Sequence, residues 1–113
     1  MTEIWHNPRC SKSSQTLALL EERGIAPTIR LYQQDAPTET EIRAALAALA
    51  IPAVALMRSG DALFKDLGLA KDMEEDRLIA AMAAHPALIE RPVVLHEGRA
   101  ALGRPPESVL ALC

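Results

Sequence analysis

The first third of the chain reads as strand, helix and strand, and this order constrains the fold more than any other feature. Residues 3–6 are predicted to form a buried strand, and residues 11–23 carry leucines at helical spacing before Gly24. Residues 28–32 are predicted to form a second strand. Two strands joined by a helix are expected to be parallel with a right-handed connection. The sequence therefore predicts a βαβ unit.

The middle of the chain carries two patterns that are typical of helix starts. Thr38 followed by Glu41 has the form of a capping box, and Asp72 with Glu75 repeats that spacing ahead of a second apolar run. Residues 38–85 are therefore predicted to form a helical insertion. This insertion is too short to stand alone, so the whole chain is expected to be one domain.

The last third predicts a hairpin and a short helix. Residues 92–95 and 99–102 read as antiparallel strands, and Gly98 suits a tight turn between them. A proline at the first helical position suits a closing helix over residues 106–112. Together with the βαβ unit, this predicts an α/β protein with a thioredoxin-like, four-stranded mixed sheet and a helical insertion.

Composition excludes several classes of function. The chain has 113 residues and a formal net charge of −3, with no basic blocks, which argues against nucleic acid as a partner. No apolar run approaches ~20 residues and no export leader is recognisable, so we expect a cytoplasmic protein that binds no membrane. A monomer is the default expectation. The two cysteines and three histidines form no zinc pattern. No metal and no tightly bound cofactor is expected.

Cys10 is the candidate reactive residue, because it lies between the first predicted strand and the helix that follows. Helix N–H groups and the helix dipole stabilise a thiolate, and Arg9 and Lys12 add positive charge, so its pKa is expected below the usual ~8.5. The same groups attract oxyanions. Without further context, such a cysteine is more often a small buried residue.

Four ordered blocks of sequence give Cys10 that context. They are HNPRCSKS at residues 6–13, FKDLGL at 64–69 together with Arg58, LIERPVV at 88–94, and LGRPPE at 102–107. These blocks resemble the glutaredoxin-coupled arsenate reductase family, and the resemblance runs from Ile4 to Leu110. It implies that Cys10 attacks arsenate, that glutathione then displaces oxygen from the bound arsenic, and that a glutaredoxin resolves the adduct and releases arsenite.

The resemblance also implies a set of arginines around the thiol. By motif, Arg58, Arg91 and Arg104 correspond to the arginines that hold the oxyanion in that family. A guanidinium offers forked donors to two oxygen atoms at once, which suits a tetrahedral dianion. The Arg91–Pro92 step resembles a cis-proline step beside the catalytic cysteine, so a cis bond is predicted there.

Smaller supporting roles follow from the same resemblance. His6 is expected to help keep the thiol ionised, although it could equally be a satisfied histidine at a strand end. Ser13 is expected to donate a hydrogen bond to the thiolate, while Arg9 and Lys12 support its charge. Relatives often carry arginine where this chain has Ser14, so one positive charge is lost near the site.

Two other functions fit the same fold. One is a glutathione-dependent thiol oxidoreductase whose substrate is not arsenate. The other resembles the Spx regulators, which bind RNA polymerase and commonly carry a Cys-x-x-Cys redox switch. Ser13 stands where that switch needs its second cysteine. The only other cysteine, Cys113, is expected to be a terminal thiol, with a resolving role as the less favoured reading.

Overall fold

A four-stranded mixed sheet forms the frame that carries Cys10. In the computed structural model, which describes residues 2–90 and 92–112, the strands are β1 (Thr2–Trp5), β2 (Thr28–Arg30), β3 (Val93–His96) and β4 (Arg99–Leu102). Their order is β2-β1-β3-β4. The β1–β2 pair is parallel, whereas β1–β3 and β3–β4 are antiparallel. The predicted four-stranded mixed sheet is confirmed.

The backbone divides into two compact units, which are described separately. The sheet unit comprises the described residues up to Asp35 and those from Pro92 onwards, and the helical unit comprises Ala36–Glu90. That the whole chain acts as one domain stays a prediction. Among the described residues, no helix is long and apolar enough to cross a membrane.

The sheet unit is closed by helices whose apolar side chains meet one another and the sheet. Helix α1 (Ser11–Glu22) follows β1, and a 3-10 helix at Pro106–Leu112 follows β4. The latter has the predicted bounds but the tighter 3-10 geometry. A cluster of buried side chains from these elements and the central strands forms the core: Ile4, Leu20, Val94, Val109 and Leu112.

The turn between β3 and β4 has the left-handed geometry that two-residue hairpin turns need. Glu97 has φ 49° and Gly98 has φ 80°. Positive φ at both central positions matches the right-handed twist of the flanking strands, and glycine adopts it without strain. The predicted hairpin is confirmed. The second predicted strand is shorter than expected, because the Gln34 and Asp35 N–H groups both donate to the Leu31 carbonyl and turn the chain.

The helical unit contains α2 (Glu39–Leu49), α3 (Ala62–Asp66) and α4 (Glu75–Ala84), with 3-10 helices at Ala53–Leu56 and Pro86–Leu88. Both hydrogen bonds of the predicted capping box are present at the start of α2.

The second predicted capping box is wrong. Helix α4 starts after Glu74, which makes no side-chain cap, rather than after Asp72. The Glu75 carboxylate instead accepts the Ala53 N–H at 3.1 Å, so it caps the preceding 3-10 helix.

Candidate active site

The loop between β1 and α1 is held by backbone groups. The His6 N–H donates to the Arg30 carbonyl at 2.8 Å, which extends the pairing of β1 with β2 by one residue. Asn7 then closes a tight turn: its Oδ1 accepts the Arg9 N–H at 3.0 Å, and its carbonyl accepts the Cys10 N–H at 3.0 Å. These bonds fix the path of the chain into the cysteine.

Cys10 is the N-cap residue of α1 and is half-buried. Its backbone is extended, with φ −97° and ψ 120°, and its carbonyl accepts the Ser14 N–H at 3.0 Å. The first turn of α1 contains no acidic residue, whereas Lys12 lies in it and Arg9 precedes it, both exposed. The predicted placement of Cys10 at a helix N-terminus with nearby cations is confirmed.

Ser13 and His6 form a buried polar pair under the loop. The Ser13 Oγ lies 2.6 Å from His6 Nδ1 and also accepts the Asn7 N–H at 3.1 Å. Ser13 is fully buried, and His6 is only 7% exposed. This pair ties the end of β1, the loop and the first turn of α1 together.

The tautomer of His6 determines where the single Ser13 hydroxyl proton can go. If Nδ1 carries no proton, Ser13 donates to it; if Nδ1 is protonated, the ring donates and the hydroxyl proton can serve another acceptor. Burial lowers the pKa of His6 below its usual 6.5, which favours the neutral ring. Donation from Ser13 to the Cys10 thiolate stays a prediction.

Gly103 joins the end of β4 to α1 through an unusually close approach. A side chain at this position would meet Thr16 Oγ1 and would lie 2.5 Å from Pro92 Cγ, and the Gly103 N–H donates to the Pro92 carbonyl at 3.0 Å. Arg104 follows directly and is exposed. The packing therefore holds the backbone beside Arg104 against α1. That the Arg104 guanidinium reaches the thiol stays a prediction.

The structure describes only one of the other two predicted arginines, Arg58. Arg91 lies outside the described residues, and so does the predicted cis bond of Arg91–Pro92. The structure does contain a cis bond at Arg104–Pro105, which was not predicted.

Arg58 belongs to the helical unit. Its Nε donates to Asp61 Oδ2 at 2.7 Å, and its side chain is 23% exposed. The structure thus gives Arg58 a carboxylate partner that sequence analysis did not identify. Its role toward arsenate stays a prediction.

Sequence reasoning missed Asn7, Gly103 and Asp61. The Asn-Pro dipeptide at residues 7–8 is a recognisable turn signal and could have identified the Asn7 turn. The spacing of Arg58 and Asp61 suits a local ion pair. No local signal reveals Gly103, since its neighbours come from distant parts of the chain.

Within residues 2–90 and 92–112, no group of three or more histidine, cysteine or carboxylate side chains is arranged to hold a metal ion. The groups that the structure describes at this loop are a thiol, a histidine–serine pair and two exposed cations.

Comparison with known proteins identifies the family to which this chain belongs. The model of the ArsC family matches residues 5–112. The chain belongs to the ArsC family. The resemblance stated from the four sequence blocks is thereby confirmed at the family level.

Members of the ArsC family match this chain over nearly its whole length. An arsenate reductase of Neisseria meningitidis serogroup A is 46% identical, and the match covers 97% of this chain and 96% of that protein. An arsenate reductase of Haemophilus influenzae is 46% identical over 96% of each chain. The structure of an arsenate reductase from Vibrio cholerae superposes with a TM-score of 0.96 at 46% identity, covering 99% of this chain and 97% of that one. The thioredoxin-like α/β fold of the ArsC family is confirmed.

Proposed function

We propose that this protein reduces arsenate to arsenite with glutathione and glutaredoxin, through an adduct on Cys10. The observation that carries the proposal is the thiol at the N-cap of α1 beside two cations, in a chain whose relatives at 46% identity are named arsenate reductases. The protein acts as a cytoplasmic monomer in this proposal and needs no tightly bound cofactor.

In the proposed reaction, the Cys10 thiolate attacks the arsenic of arsenate, an arsenic–sulfur bond forms, and one oxygen leaves as water after protonation. The thiolate of glutathione then displaces a second oxygen as water. A glutaredoxin thiolate attacks the glutathione sulfur, so that a mixed disulfide forms and two electrons pass to arsenic. Hydrolysis of the remaining arsenic–sulfur bond releases arsenite and restores the Cys10 thiol.

Electrostatics decides whether the first step is possible. Arsenate is an anion, and a thiolate approaching it meets charge repulsion that a preorganised cationic pocket must offset. The α1 N-terminus with Arg9 and Lys12 supplies part of that charge. In this proposal Arg58, Arg91 and Arg104 supply the rest. Phosphate, which has nearly the same shape and charge, binds without turnover because thiols do not reduce it.

The test is arsenate-dependent oxidation of NADPH in a mixture with glutathione, glutaredoxin and glutathione reductase. Wild-type protein should show turnover that Cys10→Ser abolishes, while Cys113→Ser, which removes the other cysteine, should retain it. Urea unfolding of each variant checks that it is folded. A folded wild-type protein with no arsenate-stimulated turnover would overturn the proposal.

A further inference from the structure

A cavity of about 360 Å³ lies directly beside the Cys10 loop in the sheet unit. It is lined by His6, Asn7, Pro8, Arg9, Leu31, Gln33 and Gln34. We propose that this cavity recognises the glutathionyl group of the thiol co-substrate. The inference rests on the proposed function, which names glutathione as that co-substrate.

Both walls of the cavity are fixed by hydrogen bonds within the protein. The first wall is the loop that Asn7 closes ahead of Cys10. The second is the turn after β2, where Arg30 Nε donates to the Asp35 carbonyl at 3.0 Å and lies 3.4 Å from its carboxylate. A site whose walls are already ordered loses little conformational entropy when a ligand binds.

The polar groups around the cavity are available to a ligand. Within residues 2–90 and 92–112, the Arg9 guanidinium makes no ion pair, and Gln33 and Gln34 are exposed. His6 is 7% exposed and uses Nδ1 for Ser13, whereas its Nε2 makes no hydrogen bond in the described part of the chain. His6 thus lines the cavity and keeps one ring nitrogen that bonds to none of the described residues.

These groups match the chemistry of glutathione. The tripeptide carries two carboxylates and two amide groups, which a guanidinium and two side-chain amides can bind in a forked or paired manner. Leu31 offers an apolar surface to its methylene groups, a contact that arsenate could not use. The volume lies within the roughly 300–1,000 Å³ that small-molecule sites span.

A reaction that contains no arsenate tests this site. The Cys10 thiolate attacks one sulfur of glutathione disulfide, the sulfur–sulfur bond breaks, a disulfide between Cys10 and glutathione forms, and one glutathione thiolate leaves. Mass spectrometry follows the modified protein over time. Bis(2-hydroxyethyl) disulfide reacts with the same thiol but carries no carboxylate or amide, so it corrects for changes in the reactivity of Cys10.

The measured quantity is the ratio of the two rate constants, glutathione disulfide over bis(2-hydroxyethyl) disulfide. Arg9→Gln should lower this ratio about two- to fivefold, the range expected for an exposed charge pair. The double variant Gln33→Ala/Gln34→Ala, which alters only the second wall, should lower it as well. Arg77→Gln removes the same charge at an exposed position on α4 and should leave the ratio unchanged.

Ratios that stay at the wild-type value in both cavity variants would overturn the assignment of this cavity. The assignment would be supported if the wild-type protein prefers glutathione disulfide and both cavity variants lose this preference. This holds even if the wild-type protein shows no arsenate-stimulated turnover. In that case the proposed reductase function would be rejected and the glutathione site would be kept. Failure of the proposed function and failure of the glutathione site therefore give different results.

Discussion

At the scale of single residues, Ser13 and Ser14 are neighbours with opposite surroundings. Ser13 is buried, with its hydroxyl bonded to His6 and to the Asn7 N–H, whereas Ser14 is exposed. Ser13→Ala leaves buried polar groups without a partner, so we expect it to lower the free energy of unfolding by about 1–3 kcal/mol. Ser14→Ala should change it by less than about 0.5 kcal/mol. Urea unfolding measures both, and equal effects would contradict this account.

His6 should make stability depend on pH. Because burial lowers its pKa below 6.5 in the folded state, the unfolded chain takes up a proton first as the pH falls. The contribution of the neutral His6 ring to the free energy of unfolding is therefore fully present above about pH 6.5. It is lost as the pH falls toward the pKa that His6 has in the folded state. His6→Gln should give a flatter profile of unfolding free energy as the pH falls below about 6.5. A profile as steep as that of the wild type would refute the assignment to His6.

At the scale of elements, the contact between β4 and α1 has no room for a side chain at Gly103. Gly103→Ala would push Cβ into Thr16 Oγ1 and the Pro92 ring, so we expect a loss of about 1–3 kcal/mol in unfolding free energy. Gly60→Ala is the matched control, because a Cβ there meets nothing within 4 Å and the backbone is not left-handed. Thermal unfolding compares the two variants. A Gly103→Ala protein as stable as the Gly60→Ala control would contradict the prediction, because it would mean that Thr16 and Pro92 move aside at little cost.

Local signals predicted most of the elements, and their failures have physical causes. The capping box of Thr38 and Glu41 involves groups three residues apart, so the sequence displays it completely. The spacing of Asp72 and Glu75 predicts a capping box within one helix start, but the Glu75 carboxylate accepts the Ala53 N–H, 22 residues earlier in the chain. A pattern within one segment cannot reveal a partner in another.

In the candidate site, too, local features could be predicted from the sequence and contacts between distant residues could not. The placement of Cys10 at a helix start follows from the order of strand, loop and helix. The bond between His6 and Ser13 was not predicted, because sequence analysis assigned both side chains to the Cys10 thiolate and not to each other. The close approach of Gly103 to Pro92 depends on the assembled sheet unit and was not predicted.

At the scale of the whole molecule, stability depends on aliphatic packing, because only 3% of the residues are aromatic. Leu20 is fully buried in the core cluster of the sheet unit, whereas Leu67 is 37% exposed. Leu20→Ala should therefore cost about 2–5 kcal/mol, a large part of the roughly 5–15 kcal/mol that stabilises a typical protein. Leu67→Ala should cost much less. Chemical unfolding tests this, and comparable losses would contradict the assignment of the core.

The contact at Gly103 also limits how this protein can evolve. Thr16 and Pro92 occupy the space that any larger residue at position 103 would need, so the three positions cannot vary independently. A lineage that gains a side chain at position 103 must either lose stability or change the residues at positions 16 and 92 to make room. Because position 103 directly precedes Arg104, natural selection for this packing would also keep the backbone beside Arg104 in place.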